Sequence, residues 1–199
     1  MKGFNYDKEI TNSKFYDRMR VFAPLLNKSR YKVTYVGLEN IPADGGFILA
    51  SNHMNALDPA IIGSGIPNRQ LHFMGKKELF ENKLVAYLFT KANGFPVARG
   101  AMDTKALDYA ARVVKEGHVL GIFPEGTRSA DCSIQRFHKG AFYLAQLLKV
   151  DILPMLIYGA GQISAKKQGF YIKSGIVATK TLKRVEFGDT SFGTTYQEQ

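Results

Sequence analysis

The sequence predicts an α/β protein with a mostly parallel central sheet flanked by helices, preceded by an N-terminal amphipathic helical segment. Two observations carry this reading. Apolar runs of strand length alternate with amphipathic segments of helix length along most of the chain, the order that produces a parallel sheet with helices as its crossovers. Several runs, such as HVLGIFP and DILPMLIYG, are apolar almost throughout, as strands covered on both faces are. The 199 residues suit one domain with a sizeable core. Residues 1–30 are read as the helical segment and 31–199 as the α/β domain.

Taken in order, Phe15, Met19, Phe22 and Leu26 recur at helical spacing over 13–26, with Lys14, Arg18 and Arg20 beside the stripe. Pro24 is expected to end or kink that helix. YKVTYVG (31–37) and GFILAS (46–51) read as strands. Asp58-Pro59 opens a short helix, with Asp58 suited to its N-cap. LHFMG (71–75) is a strand, and the segment from Lys76 to Gly94 gives one or two helices. FPVAR (95–99) is a short strand. The clearest helix covers 102–117, capped by Asp103 or Thr104, with Leu107, Ala110, Ala111 and Val114 as its inner stripe and Gly117 as its stop. A strand over 118–124, a helix over 138–149 and a strand over 151–159 follow. Residues 170–188 read as peripheral strands.

The formal charge is +10, which favours polyanionic partners: nucleic acid, an anionic membrane surface or phosphorylated substrates. A nucleic-acid module needs a concentrated basic stripe and stacking aromatics on an exposed sheet. Here the 10 Tyr and 14 Phe fall mostly in apolar runs, so core packing explains them better. The single cysteine, Cys132, cannot form an internal disulfide, and a reducing compartment is the simpler reading. No run approaches the roughly 18 apolar residues of a spanning helix, and MKGFNYDKE lacks a signal peptide's apolar stretch. The basic amphipathic segment instead suits a helix lying on a membrane or docked on the domain.

Chemistry-bearing residues gather where strands run out into loops, the places that form sites in such folds. His53 follows the strand GFILAS, and Asp58 comes five residues later. On one continuous helix these side chains would diverge, but a turn followed by a helix start brings them together. Asp58 then accepts from Nδ1–H of His53, fixes its tautomer and leaves the other nitrogen to take a proton. The alternative is an ordinary loop histidine beside an N-cap. Ser51 has no nucleophile-elbow surroundings, so an attacking hydroxyl belongs to a substrate. In FPEGTRS, Gly126 allows positive φ or close approach. Its backbone, the Thr127 hydroxyl and Arg128 form a plausible anion cradle. Glu125 either orients a polyol hydroxyl or pairs with that arginine. GFPVARG offers Arg99 at a strand end. Pro154, inside ILPML, suits a strand end or sheet edge, as core packing or as the wall of an acyl channel. Lys76 contacts a phosphate or lies on a solvated helix face.

NHMNALD, GFPVARG, FPEGTRS and ILPML, in this order between about residues 32 and 160, resemble the 1-acylglycerol-3-phosphate (lysophosphatidate) acyltransferase family. The resemblance implies that His53 is the general base and Asp58 its orienting partner. It implies that Arg99, Glu125, Gly126, Thr127 and Arg128 bind the glycerol phosphate, with Lys76 as a further phosphate contact and Pro154 near the acyl donor. The implied co-substrate is acyl-coenzyme A or acyl-acyl carrier protein, with no other cofactor and no metal. The implied partners are an anionic membrane surface and a lysophospholipid, with no nucleic acid. The implied place is the cytoplasmic face of a membrane, peripheral or monotopic. Another lysophospholipid or glycerol 3-phosphate as acceptor, or thioester hydrolysis, are the alternative activities. Ala98 stands where many relatives carry a polar residue. Relatives often continue past DTSFGTTYQEQ, which implies a chain shortened at its C-terminus or one module of a longer polypeptide.

Overall fold

The computed structural model describes residues 4–27, 31–98, 103–163 and 175–189. Within them the apolar runs pair into one seven-stranded sheet. Its strands are β1 (Tyr31–Val36), β2 (Phe47–Ser51), β3 (Leu71–Lys76), β4 (Gly94–Val97), β5 (Val119–Ile122), β6 (Ile152–Tyr158) and β7 (Gly175–Thr181). The order across the sheet is β1-β7-β6-β2-β5-β3-β4. Every neighbouring pair is parallel except β6 with β7. The helices are α1 (Lys14–Asn27), α2 (Asp58–Gly65), α3 (Lys83–Lys91), α4 (Thr104–Lys115), α5 (Gly140–Leu148) and α6 (Ala160–Ile163). The chain therefore forms the mostly parallel α/β sheet that its pattern predicts.

The period-2 alternation of strands divides the interior into two cores. Leu49 of β2 joins Ile61, Ile62, Phe73, Leu153 and Ile157 on the α2 face. Its neighbour Ile48 joins Tyr109, Val113, Leu120 and Leu144 on the face covered by α4 and α5. Both Ile48 and Leu49 are fully buried, which is why β2 has no polar alternation. β2 lies between β5 and β6, with Ala50 level with Ile122 on one side and with Pro154 on the other. Three carboxyl ends thus open side by side at the centre of the sheet.

Some details differ from the sequence reading. α4 buries Ala106, Tyr109, Ala110, Val113 and Val114, a stripe turned by about one residue from the expected one. Tyr109 supplies the largest buried side chain, and its aromatic contacts with Phe4 and Phe95 set the rotation. Pro154 sits within an interior strand, not at an edge. The ladder is irregular there: between the pairs Ile152–Val185 and Met155–Thr181, residues 153 and 154 face residues 182–184. A bulge of this kind leaves room for a residue without an N–H. α1 continues through Pro24 to Asn27. Its docking residue is Tyr16, buried at 7% exposure and packed against Gly63 of α2. Met19 and Phe22, from the apolar stripe, are exposed. Upstream, Arg112 donates to the carbonyls of Tyr6 and Lys8, and the Tyr6 hydroxyl donates to Pro96 O. The N-terminal residues are thereby strapped across α4.

At the amino ends of the strands, His72 is buried with neither ring nitrogen hydrogen bonded among the described residues. Burial, with the nearby His118 and Lys8, pulls its pKa down to about 3. The unfolded chain therefore binds a proton at His72 that the folded chain refuses. The associated stability is fully present above the ordinary imidazole pKa and is lost as pH falls towards about 3, at up to about 1.4 kcal/mol per pH unit. Urea midpoints measured across the mildly acidic range, where most carboxylates stay charged, should fall more steeply with acid in the wild type than in His72→Leu. Equal slopes would contradict this role.

Candidate active site

The loop between β2 and α2 is organised by one carboxylate. Asp58 Oδ2 accepts from the backbone N–H of Met54 at 2.6 Å, from that of Asn55 at 2.7 Å and from His53 Nδ1 at 2.8 Å. A carboxylate only accepts, so the shared proton belongs to the imidazole Nδ1. Asp58 is the first residue of α2 and does not cap it: its side chain reaches back to the preceding loop instead of forward to the helix amides. The loop also closes on itself through Leu57 N–H, which donates to Asn55 Oδ1 at 2.9 Å. The Asp58 side chain is 0% exposed and that of His53 is 17% exposed, so the pair has a dry end and a wet end. No hydrogen bond among the described residues engages His53 Nε2.

Two asparagines tie this loop to the adjacent strand. Asn52 Nδ2 donates to Ile157 O at 2.9 Å, and Ile157 N–H donates to Asn52 Oδ1 at 2.7 Å. Asn55 Nδ2 donates to Ala160 O at 2.9 Å. Both residues are buried. Sequence reading passed over them, although NHMN does place two amides around the histidine, and amides suit loops whose backbone groups need partners.

The FPEGTRS segment leaves β5 beside this loop. Gly126 N–H donates to Phe123 O at 2.9 Å, closing a turn with Pro124 at its second position. Gly126 then adopts φ 66°, a conformation that costs glycine least. His138 lies against it: a Cβ at Gly126 would stand 3.3 Å from His138 Cδ2. Ser129 N–H donates to His53 O at 2.8 Å, and His138 N–H to Pro124 O at 2.8 Å. Asp131 accepts from Ser129 Oγ and from the amide and hydroxyl of Ser133. These bonds, led by the Ser133 hydroxyl, pull its pKa down to about 2. Phe123 stacks on the His53 ring with centroids 4.0 Å apart and planes at 14°.

Glu125 is buried at 2% exposure, with neither carboxylate oxygen hydrogen bonded among the described residues. Burial raises its pKa. The backbone near Gln135 and His53 and the charge of His53 pull it back in part, while Asp58 adds to the rise. Glu125 therefore shares an electrostatic environment with the His53–Asp58 pair. Thr127 is exposed and Arg128 half-buried on the same loop. Lys76, at the end of β3, is exposed with Nζ 3.9 Å from Glu78 Oε2. Pro154 of β6 is level with Ala50, beside the β2 end. β4 ends at Val97, and Arg99 lies outside the described residues. The fold thus brings His53, Asp58 and Glu125 together, sets Gly126, Thr127 and Arg128 on the loop bonded to His53, and leaves Lys76 at the same end of the sheet.

Fold and site together define an α/β protein with a candidate site at the carboxyl ends of adjacent parallel strands, where a buried carboxylate holds a partly accessible histidine. Residues 32–158 match the family described as Acyltransferase. The 1-acyl-sn-glycerol-3-phosphate acyltransferase of Bacillus subtilis is 39% identical over 122 residues, 61% of this chain and 60% of its own length. That of Streptococcus pneumoniae is 30% identical over 148 residues, 73% of this chain and 54% of its own. The chain thus spans 60% or less of these two relatives. The crystal structure of the 1-acyl-sn-glycerophosphate (LPA) acyltransferase PlsC from Thermotoga maritima superimposes with a TM-score of 0.73 at 26% identity, covering 90% of this chain and 71% of that one. The chain belongs to the acyltransferase family.

Proposed function

We propose that this chain transfers a fatty acyl group from an acyl thioester to the free hydroxyl of 1-acylglycerol 3-phosphate, forming phosphatidate. The observation that carries the reading is the His53 imidazole, 2.8 Å from a fully buried Asp58 carboxylate with Nε2 uncommitted among the described residues, in a member of this family. The substrate class rests on what the similar proteins are named for.

In this mechanism the acceptor hydroxyl attacks the thioester carbonyl while His53 Nε2 takes its proton. Asp58 stabilises the imidazolium that forms, and Glu125, where ionised, acts in the same direction. The carbon–sulfur bond then breaks, and the thiolate leaves with the proton held by His53. Transfer is direct, with no acyl-enzyme. Arg128, Thr127 and the Gly126 backbone, with Arg99 and Lys76, hold the phosphate, and Glu125 receives a glycerol hydroxyl. Pro154 lies on the side of the acyl donor, acyl-coenzyme A or acyl-acyl carrier protein. No metal or further cofactor is needed.

The acceptor is a lipid, and the surface supports a chain that lies on a membrane. Among the described residues no helix is long and apolar enough to cross one. α1 exposes Met19, Val21 and Phe22, and α3 exposes Leu84, Tyr87 and Leu88. The start of α1 adjoins the end of α3, where Ser13 Oγ donates to Lys91 O at 2.6 Å. Lys14 and Arg18 on α1, with Lys83 and Lys91 on α3, are exposed beside these groups. Each basic residue close to anionic lipid contributes about 1 kcal/mol.

Purified protein with labelled acyl-coenzyme A should form phosphatidate when lysophosphatidate is present, and His53→Ala should lower turnover by roughly 10²- to 10⁴-fold. Wild-type turnover in that variant would refute the base assignment, and free fatty acid as the main product with every acceptor would establish a hydrolase. Separately, Phe22→Glu combined with Leu84→Glu should weaken binding to anionic liposomes by about tenfold or more, since each apolar side chain is worth about 1.5–3 kcal/mol on burial. Unchanged partitioning would show that these faces do not meet lipid.

A further inference from the structure

Asp58 holds the His53 ring by one atom. The ring hangs from the backbone through two rotatable bonds, and one hydrogen bond at Nδ1 restrains them without fixing both, so a second contact is needed to set the direction of Nε2. The structure provides one in a column of rings. Phe123 lies flat on His53 at 4.0 Å and 14°, and Phe73 lies flat under Phe123 at 5.4 Å and 13°. Phe73 is buried at 7% exposure and belongs to the core on the α2 face. Its register partner on β5 is Gly121, and a Cβ there would stand 2.3 Å from Phe73 Cε1. A glycine inside a central strand marks a close approach; here the missing side chain is the space that the Phe73 ring occupies. The backbone beneath Phe123 is fixed as well, because its carbonyl accepts from Gly126 N–H at 2.9 Å.

We propose that Phe123, supported by Phe73 and by the space over Gly121, is a positioning residue that sets the plane of the His53 imidazole and aims Nε2 at the acceptor hydroxyl. The inference rests on His53 being the base and goes beyond it: a flat aromatic contact is required for turnover in addition to the Asp58 hydrogen bond. Offset stacking is the favoured geometry for such rings. A reacting group aimed away from its target loses rate without losing affinity, so the constraint acts on kcat.

The test uses the full chain with acyl-coenzyme A and lysophosphatidate, comparing wild type, Phe123→Tyr, Phe123→Leu and Gly121→Ala. Tyrosine keeps the ring and should hold kcat within about twofold, whereas leucine fills similar volume without a flat face and should lower kcat by about tenfold or more with KM nearly unchanged. Gly121→Ala, which touches neither His53 nor substrate, should lower kcat in the same sense by displacing Phe73. In proton NMR the His53 ring signals should lie upfield in the wild type from the Phe123 ring current and should move downfield in Phe123→Leu. Wild-type kcat in Phe123→Leu, a change in KM alone, or His53 signals without an upfield shift in the wild type would overturn the proposal. The NMR result needs no activity and no variant that folds. His53→Ala separates the two readings: if it is inactive while Phe123→Leu is fully active, the base stands and the positioning role falls.

Discussion

The site depends on a carboxylate kept out of water. Asp58 Oδ2 gathers two backbone amides and an imidazole N–H within 2.8 Å, and the side chain is wholly buried. An ionised group in such a place is costly unless its hydrogen bonds are made. The loop 53–57 is therefore shaped around the charge: the chain bends back so that Met54 and Asn55 present their N–H groups, and the same bend turns the histidine inward. One interaction thus folds the loop, starts α2 and selects the imidazole tautomer.

The sheet then decides what meets that histidine. β5 lies next to β2 in parallel register, so its carboxyl end delivers Phe123 and Glu125 to the ring and its loop is bonded to the His53 carbonyl through Ser129. On the other side, β6 receives the amide clamps of Asn52, and Asn55 bonds to Ala160 just beyond that strand. The adjacency of β2, β5 and β6 arises because α4 returns the chain from the sheet edge at β4 to its interior, and α5 then carries it over β2. A crevice between the carboxyl ends of such strands is where α/β folds place ligands.

Much of this was legible in the sequence because the signals are local. The alternation of apolar runs gave the sheet, and the five-residue step from His53 to Asp58, broken by a turn, gave the pair. Gly126 was expected to need a special backbone and has one. What escaped the sequence depends on contacts between distant segments. The inner stripe of α4 turned to suit Tyr109, whose ring partners include Phe4, Tyr6 and Phe95. Pro154 sits in an interior strand because a bulge opposite residues 182–184 removes the need for its N–H. Asp58 was read both as the partner of His53 and as suited to an N-cap; only the first role holds, because its carboxylate is occupied upstream. The stacking of Phe123 on His53 joins residues 70 apart in the chain, and no pattern in either segment announces it.

The most direct measurement is the ¹⁵N spectrum of the His53 side chain in labelled protein at mildly alkaline pH. Asp58 as an acceptor requires that the His53 ring, when neutral, carry its proton on Nδ1 and leave Nε2 bare, and it requires that preference to weaken in Asp58→Ala. A His53 ring carrying its proton on Nε2, or one whose tautomer ignores the loss of Asp58, would contradict the account at its base.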